Sequence, residues 1–112
     1  TLYFISPSGK PLNTAYSVNR VPVRLTEERW YHIVEHHNDL AGYYDEVLST
    51  VEQPDIIIQG YGGALISFKG VKKKKYLAVI YKEISLQDGF ILSAYFTSKL
   101  NKDKRYGPNQ VR

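Results

Sequence analysis

Apolar positions in this sequence follow a helical period in one region and an alternating period in the next. Trp30, Ile33, Val34 and His37 recur at helical spacing, and a second stripe of the same period continues over residues 40–51. Each stripe leaves a charged back, so both helices must bury their apolar fronts against another element. The pattern therefore predicts a pair of amphipathic helices.

The predicted helices have recognisable ends. Thr26, followed by two glutamates, is typical of an N-cap with acidic residues in the first turn, where the helix dipole favours them. Asn38 and Asp39 separate the two helices, and Pro54 ends the second. A glycine in the first turn of the second helix moves its predicted start toward Tyr43.

Beyond Pro54 the pattern becomes that of strands. Four short apolar runs cover residues 55–61, 64–69, 75–82 and 89–97, with glycine-rich, lysine-rich and Gln-Asp-Gly turns between them. Connections this short join antiparallel neighbours, because a parallel crossover needs about a dozen residues or more. The predicted fold is α+β in two layers, an N-terminal helix pair packed on one face of a four-stranded antiparallel sheet. In the last strand, the side chains predicted to face the helices are those of Phe90, Leu92, Ala94 and Phe96. Those predicted to face the open side are Ile91, Ser93, Tyr95 and Thr97.

The length of 112 residues predicts a single domain. Within it we expect an N-terminal strand and extended arm in residues 1–22, the helix pair and sheet in residues 23–98, and a basic tail in residues 99–112. Residues 21–25 could add an edge strand, since Pro22 excludes a central one. The first residues lack a Met and a basic leader, so we interpret the start as a cut edge of a longer chain or fragment and not as a signal peptide.

Composition excludes several classes of chemistry. There is no cysteine, which excludes disulfides, thiolate metal sites and Cys nucleophiles and makes a reducing cytoplasm the easier location. No apolar run approaches the roughly 20 residues of a membrane-spanning helix, so no membrane partner is expected. The sequence contains no P-loop, no G-x-G-x-x-G and no G-x-S-x-G motif, which leaves NTP chemistry and serine hydrolysis without support.

Charge is distributed unevenly and indicates a polyanion as a partner. Residues 26–55 hold eight acidic residues and one Arg, whereas residues 56–112 hold eleven basic and three acidic ones, within a net charge of +4. Such a basic half could attract RNA. Its candidate phosphate-binding residues are the lysines between two predicted strands and one lysine of the tail: Lys72, Lys73, Lys74, Lys75 and Lys102. The ring of Tyr95, between them in the sequence, could stack on bases. The alternative is that the lysine run is a solvated loop that protects a sheet edge.

All three histidines lie on the first predicted helix. His37 falls among its apolar positions and is either a buried, helix-ending residue or a site histidine, whereas His32 falls among the glutamates of the polar back. His32 and His36 are one turn apart, but no third metal ligand accompanies them, so no metal and no cofactor is expected.

Several of these residues belong to a family resemblance. The run R-L-T-E-E-R-W-Y-H-I at residues 24–33, His37, the Gln-Pro-Asp at 53–55 and the run G-F-I-L-S-A-Y-F-T-S-K at 89–99 resemble the phage-associated barnase-EndoU-colicin-RelE-like nucleases, small bacterial proteins common in cyanobacteria. The similarity covers residues 23–99. It implies N-terminal helices before a four-stranded antiparallel sheet, and a metal-independent ribonuclease, often a toxin that an antitoxin restrains.

The resemblance also assigns candidate site residues by position. These are His32, His37, Thr97, Ser98 and Lys99, with Arg24 ahead of the first helix. The family is defined largely by its fold and its members use different catalytic residues, so the resemblance leaves individual roles open.

Metal-free RNA cleavage indicates what these residues would do. It needs a base for the ribose 2′-hydroxyl, an acid for the departing 5′-oxygen, and groups that stabilise the extra phosphate charge. His37 or His32 would be the acid or the base, because imidazole titrates near neutrality. Lys99 and Arg24 would stabilise charge, and the two hydroxyls before Lys99 would position the phosphate. Because both histidines lie in the acidic segment, the assignment requires the helix end to open toward the basic residues.

The expected function is therefore a toxin-like endoribonuclease, acting on an RNA such as tRNA or mRNA in the bacterial cytoplasm, with an antitoxin as protein partner. One alternative is a non-catalytic module of the same fold that binds RNA or a protein. Another is a structural or regulatory domain released from a longer chain.

Overall fold

A computed structural model of the chain describes residues 13–100. In chain order the strands and helices are β1 (Thr14–Tyr16), β2 (Pro22–Arg24), α1 (Glu27–His36), α2 (Tyr44–Glu52), β3 (Ile56–Gln59), β4 (Leu65–Lys72), β5 (Lys75–Ser85) and β6 (Asp88–Thr97). Short 3-10 turns at Asn38–Leu40 and Tyr61–Gly63 join α1 to α2 and β3 to β4. Neither α-helix in this range is long and apolar enough to span a membrane. Most of the predicted N-terminal arm and of the basic tail lies outside the described residues.

The six described strands form one mixed sheet in the order β1-β2-β6-β5-β4-β3. Neighbouring strands are antiparallel except β2 and β6, which run parallel with Val23 beside Gly89 and Arg24 beside Phe90. The chain is α+β, but the prediction of a four-stranded antiparallel sheet behind an N-terminal helix pair is wrong, because the helices lie mid-chain between β2 and β3. The two added strands have three residues each, which is too short for alternation to be visible in the sequence.

Strand β2 is internal, so the expectation of an edge strand at residues 21–25 is also wrong. Pro22 pairs with Tyr16 of β1, while the pairing with β6 begins only at Val23. A proline as the first residue of a strand does not have to donate a hydrogen bond to the second neighbour. Proline would be excluded only from the next position, Val23, which pairs with both β1 and β6.

Helix α1 begins where the sequence predicts. Thr26 Oγ1 accepts a hydrogen bond from the backbone N–H of Arg29 at 3.1 Å, and two glutamates follow in the first turn. This side-chain cap satisfies one of the free N–H groups at the helix start. At the other end, the backbone N–H of His37 donates to the Ile33 carbonyl at 2.8 Å.

Helix α2 is joined to α1 by an aromatic contact. Tyr44, its first residue, packs edge-to-face on Trp30 with ring centroids 5.3 Å apart, and its hydroxyl donates to the Leu25 carbonyl at 3.4 Å. Burial, and then the nearby carboxylates of Asp45 and Glu27, raise the pKa of Tyr44 above its ordinary value of 10.0. The Tyr44 hydroxyl therefore stays protonated at neutral pH and remains a donor.

The main core lies between the helices and one face of the sheet. It includes buried residues from both helices and from all six strands, among them Ala15, Val23, Ile33, Val47, Val51, Ile57, Leu65, Leu77, Val79, Tyr81 and Ile91. A smaller cluster of Ile58, Phe68 and Ala78 lies on what we term the second face, with Tyr95 and Leu100 packed against it. Residues 98–100 therefore turn back onto the second face after β6 ends.

A bulge in β6 changes the alternation of that strand. Ile80 pairs with Ser93 while Tyr81 pairs with Ile91, so β6 contains one extra residue at this point. Ile91 consequently belongs to the main core on the helix side, and the prediction that it faces the open side is wrong. Beyond the bulge, Tyr95 lies on the second face as predicted.

A polar network fastens the β1–β2 hairpin to β5. Ser17 Oγ donates to Glu83 Oε2 at 2.5 Å and accepts the backbone N–H groups of Asn19 and Val21, each at 3.2 Å. The side-chain amide of Asn19 donates to both Glu83 oxygens, at 3.0 and 3.3 Å. The network holds the hairpin beside the strands with which β2 must pair.

Two buried serines are expected to respond in opposite ways to the same substitution. Ser67 is fully buried, and its Oγ has no hydrogen-bond partner among the described residues. We expect Ser67→Ala to raise the free energy of unfolding by about 1 kcal/mol, because it removes an unsatisfied hydroxyl. Ser17→Ala removes a partner of Glu83 and should lower that free energy by about 1–3 kcal/mol. Urea unfolding of both variants measures the two signs, and a loss of stability in Ser67→Ala would contradict this account.

Candidate functional site

The predicted lysine run forms the turn between β4 and β5. Lys72 pairs with Lys75, and Lys74 adopts a left-handed conformation with φ 59°. The first three lysines are exposed and Lys75 is half-buried. The turn therefore concentrates four positive charges at one end of the sheet.

Two contacts that the sequence did not reveal position this turn. Asp55 Oδ2 accepts the backbone N–H of Gly70 at 2.7 Å, which ties the base of the hairpin to the chain after α2. Lys75 Nζ lies 4.4 Å from the ring centroid of Phe96 on the neighbouring part of β6, a cation–π contact. In the sequence, the contact between Lys75 and Phe96 is indicated only by the alternation of strand residues, which places both side chains on the same face of the sheet.

The end of β6 reaches the same end of the sheet. Thr97 pairs with Tyr76, which directly follows the lysine turn. Thr97 Oγ1 accepts the backbone N–H of Lys99 at 3.1 Å and so turns the chain sharply there. Ser98 and Lys99 are exposed. We term residues 72–75 together with residues 97–99 the lysine end of the sheet.

His37 lies where α1 meets β6. Strand β2 is paired with β6 only as far as Arg24 and Phe90, and α1 also contacts β6. The imidazole of His37 lies against the Tyr95 ring, with centroids 6.2 Å apart and planes tilted by 36°. His37 is half-buried and not fully buried, and Tyr95 is two residues from Thr97 on the same strand. The structure therefore brings His37 against Tyr95, two residues before the lysine end begins on β6.

His32 does not belong to this group. Five residues separate it from His37, which on an α-helix is a rotation of about 140°. Its Nδ1 lies 3.5 Å from Glu35 Oε1, and about half of its side chain is exposed. The ring of His32 also contacts that of Tyr31, with centroids 5.9 Å apart. The structure thus places His32 among acidic residues, as its position on the helical wheel predicts.

Arg24 is also separate from the lysine end. It forms a two-point ion pair with Asp88, with Nε–Oδ1 at 3.0 Å and Nη2–Oδ2 at 3.2 Å. Arg24 stands beside Phe90, seven residues before Thr97 on β6, which is roughly 20 Å along the strand. Its guanidinium is engaged and distant, so it does not join His37. Lys102, the remaining predicted contact, lies outside the described residues.

Within residues 13–100, no three His, Asp or Glu side chains are grouped as a metal site would require. Comparison with known proteins gives no further guide: no family model matches the chain, and neither a curated protein nor a solved structure matches it. The functional conclusion therefore depends on the geometry around His37 and on the sequence resemblance.

Proposed function

We propose that the protein is a metal-independent endoribonuclease that cleaves RNA at the lysine end of its sheet. The observation that carries the proposal is the position of His37. Its imidazole contacts Tyr95, which lies on β6 two residues before that strand ends at Thr97. An imidazole, a side chain suited to acid–base catalysis, thus lies two residues along β6 from a group of cations that can hold phosphates. The toxin character and the antitoxin partner that the resemblance implies belong to this proposal.

The proposed chemistry uses two neighbouring rings. His37 takes the proton of the ribose 2′-hydroxyl, whose oxygen attacks the adjacent phosphorus. The bond from phosphorus to the 5′-oxygen breaks, and the Tyr95 hydroxyl donates a proton to that oxygen. Products are a 2′,3′-cyclic phosphate and a free 5′-hydroxyl, and transfer of the proton from His37 to Tyr95 restores the enzyme.

Cations of the lysine end would stabilise the charge that develops on the phosphate. Lys99 is exposed and its backbone is held by Thr97, so its ammonium group is available at the strand end. The Ser98 hydroxyl lies between these two residues and can donate to a phosphate oxygen. Arg24 has no part in this step because of its distance and its ion pair with Asp88.

The proposal is tested by incubating RNA with the protein in excess chelator. We expect cleavage to continue and the fragments to carry 2′,3′-cyclic phosphate and 5′-hydroxyl ends. A DNA oligonucleotide of the same sequence should stay intact, because it lacks the 2′-hydroxyl nucleophile. Cleavage that stops with chelator, or fragments that carry 5′-phosphates, would contradict the mechanism.

One observation favours a second function, a non-catalytic RNA-binding module. Only one of the three histidines, His37, lies near the lysine end, so the site lacks a second imidazole for acid–base catalysis. A module that only binds RNA needs the lysines and no imidazole. RNA that stays intact but shifts on a gel, with an affinity that falls steeply with salt, would favour this function.

A further inference from the structure

Tyr61 is presented to solvent by a tight loop between β3 and β4. Its side chain is 99% exposed, the highest value among the large apolar and aromatic residues of the described range. Gly62 and Gly63, which follow it, adopt left-handed conformations with φ 67° and 84°. Only glycine takes these conformations without strain, so the loop is built to hold this turn. The result is an aromatic ring whose two faces are free of protein contacts.

A large open cavity lies beside this ring on the second face. Its volume is about 610 Å³, within the range of small-molecule sites. The floor is apolar and comes from Ile58, Ile66 and Phe68. Lys99 and Leu100 line it where the chain turns back after β6. Tyr61 and a cation therefore border the same apolar space.

We propose that this cavity binds a nucleotide of single-stranded RNA, with its base stacked on Tyr61 and its phosphate paired with Lys99. The combination of an aromatic ring, an apolar floor and one ammonium group matches a base joined to a phosphate. Stacking needs an unpaired base, so duplex RNA does not fit. The choice of RNA as the ligand rests on the proposed function.

The cavity lies on the same face of the sheet as Tyr95, the residue that His37 contacts. Tyr95 pairs with Ala78, and Ala78 pairs with Phe68 of the cavity floor. Two strand spacings, about 10 Å, therefore separate Tyr95 from the floor on the same face. Lys99 belongs to both places, because Thr97 holds its backbone while its side chain lines the cavity. An RNA strand laid on this face would thus run from the cavity toward Tyr95 and His37.

The experiment measures binding of a fluorescent single-stranded 2′-O-methyl oligoribonucleotide, which lacks the nucleophile and is not cleaved. Tyr61→Ala should weaken binding about tenfold, since stacking on one aromatic ring corresponds to about 1–3 kcal/mol. Tyr61→Phe keeps the ring and should bind within about twofold of the unmodified protein. Tyr31→Ala is the matched control, because Tyr31 is also exposed, at 65%, but lies on α1. Lys99→Ala should reduce the salt dependence of binding by the amount of about one phosphate contact.

The inference is overturned if Tyr61→Ala binds the oligonucleotide as the unmodified protein does, or if Tyr61→Phe loses as much affinity as Tyr61→Ala. Equal affinity for duplex RNA would also overturn it. Its failure is distinguishable from that of the proposed function. A protein that binds through Tyr61 but never cleaves RNA retains this site and loses the ribonuclease proposal. If the protein cleaves RNA and Tyr61→Ala changes neither the rate of cleavage nor KM, the ribonuclease proposal is retained and this binding site is lost.

Discussion

His37→Ala is expected to lower the rate of RNA cleavage about 100-fold to 10,000-fold, the range of a lost general acid or base. His37 is the imidazole that contacts Tyr95 and stands near the lysine end, so no other histidine can replace it. Single-turnover cleavage of a labelled RNA at saturating protein measures the chemical step separately from binding. RNA affinity should change far less than the rate.

His32→Ala is the matched control for this experiment. It removes the same type of side chain from the same helix, but its imidazole is exposed and lies beside Glu35. Cleavage should be unchanged, and the free energy of unfolding should stay within about 0.5 kcal/mol of that of the unmodified protein. Because His37 also ends α1, His37→Asn provides a second variant that keeps a polar residue at that position. A folded His37→Ala protein with full activity would show that the catalytic group lies elsewhere.

Charge reversal of the exposed lysines at positions 72, 73 and 74 is expected to weaken RNA binding about 100-fold or more at low ionic strength. Each lysine that pairs with a phosphate of single-stranded RNA contributes about 0.7 to the slope of affinity against salt on logarithmic axes. The slope should therefore fall by about 2. Lys75 is left unchanged because its ammonium group packs on Phe96. Affinity is measured by anisotropy over a series of salt concentrations.

The control for charge reversal is Arg29→Glu, which reverses an exposed cation near the start of α1, at the opposite end of that helix from His37. It should change affinity by only a small factor. At saturating RNA, the rate of cleavage should be similar in the triple variant and the unmodified protein. If the triple variant bound RNA as tightly as the unmodified protein, the lysine turn would be a solvated loop that protects a sheet edge, which is the alternative interpretation of its sequence.

Local elements could be predicted from the sequence because their determinants are local. Thr26 and the glutamates after it define the start of α1, and the stripe that follows Leu40 defines α2. The four apolar runs correspond to β3–β6, and the lysine turn and the end of β6 meet because adjacent strands of a meander are neighbours. This is why part of the candidate site could be assembled from spacing alone.

The remaining features depend on contacts between distant parts of the chain. The parallel pairing of β2 with β6 has no local signal, yet it directs α1 along β6 and so places His37 against Tyr95. The same pairing brings Arg24 to Asp88 and removes it from the predicted site. The bulge that turns Ile91 inward depends on how β5 and β6 pair, which the alternation of one strand does not show.

The most direct test of the account follows the imidazole signals of the three histidines by NMR while the uncleavable 2′-O-methyl oligoribonucleotide is added. Each signal is assigned by its loss in the corresponding His→Ala variant. We predict that the signals of His37 move with binding while those of His32, on the acidic side of α1, stay in place. Movement of the His32 signals with those of His37 unchanged would contradict the claim that RNA binds where α1 meets the lysine end.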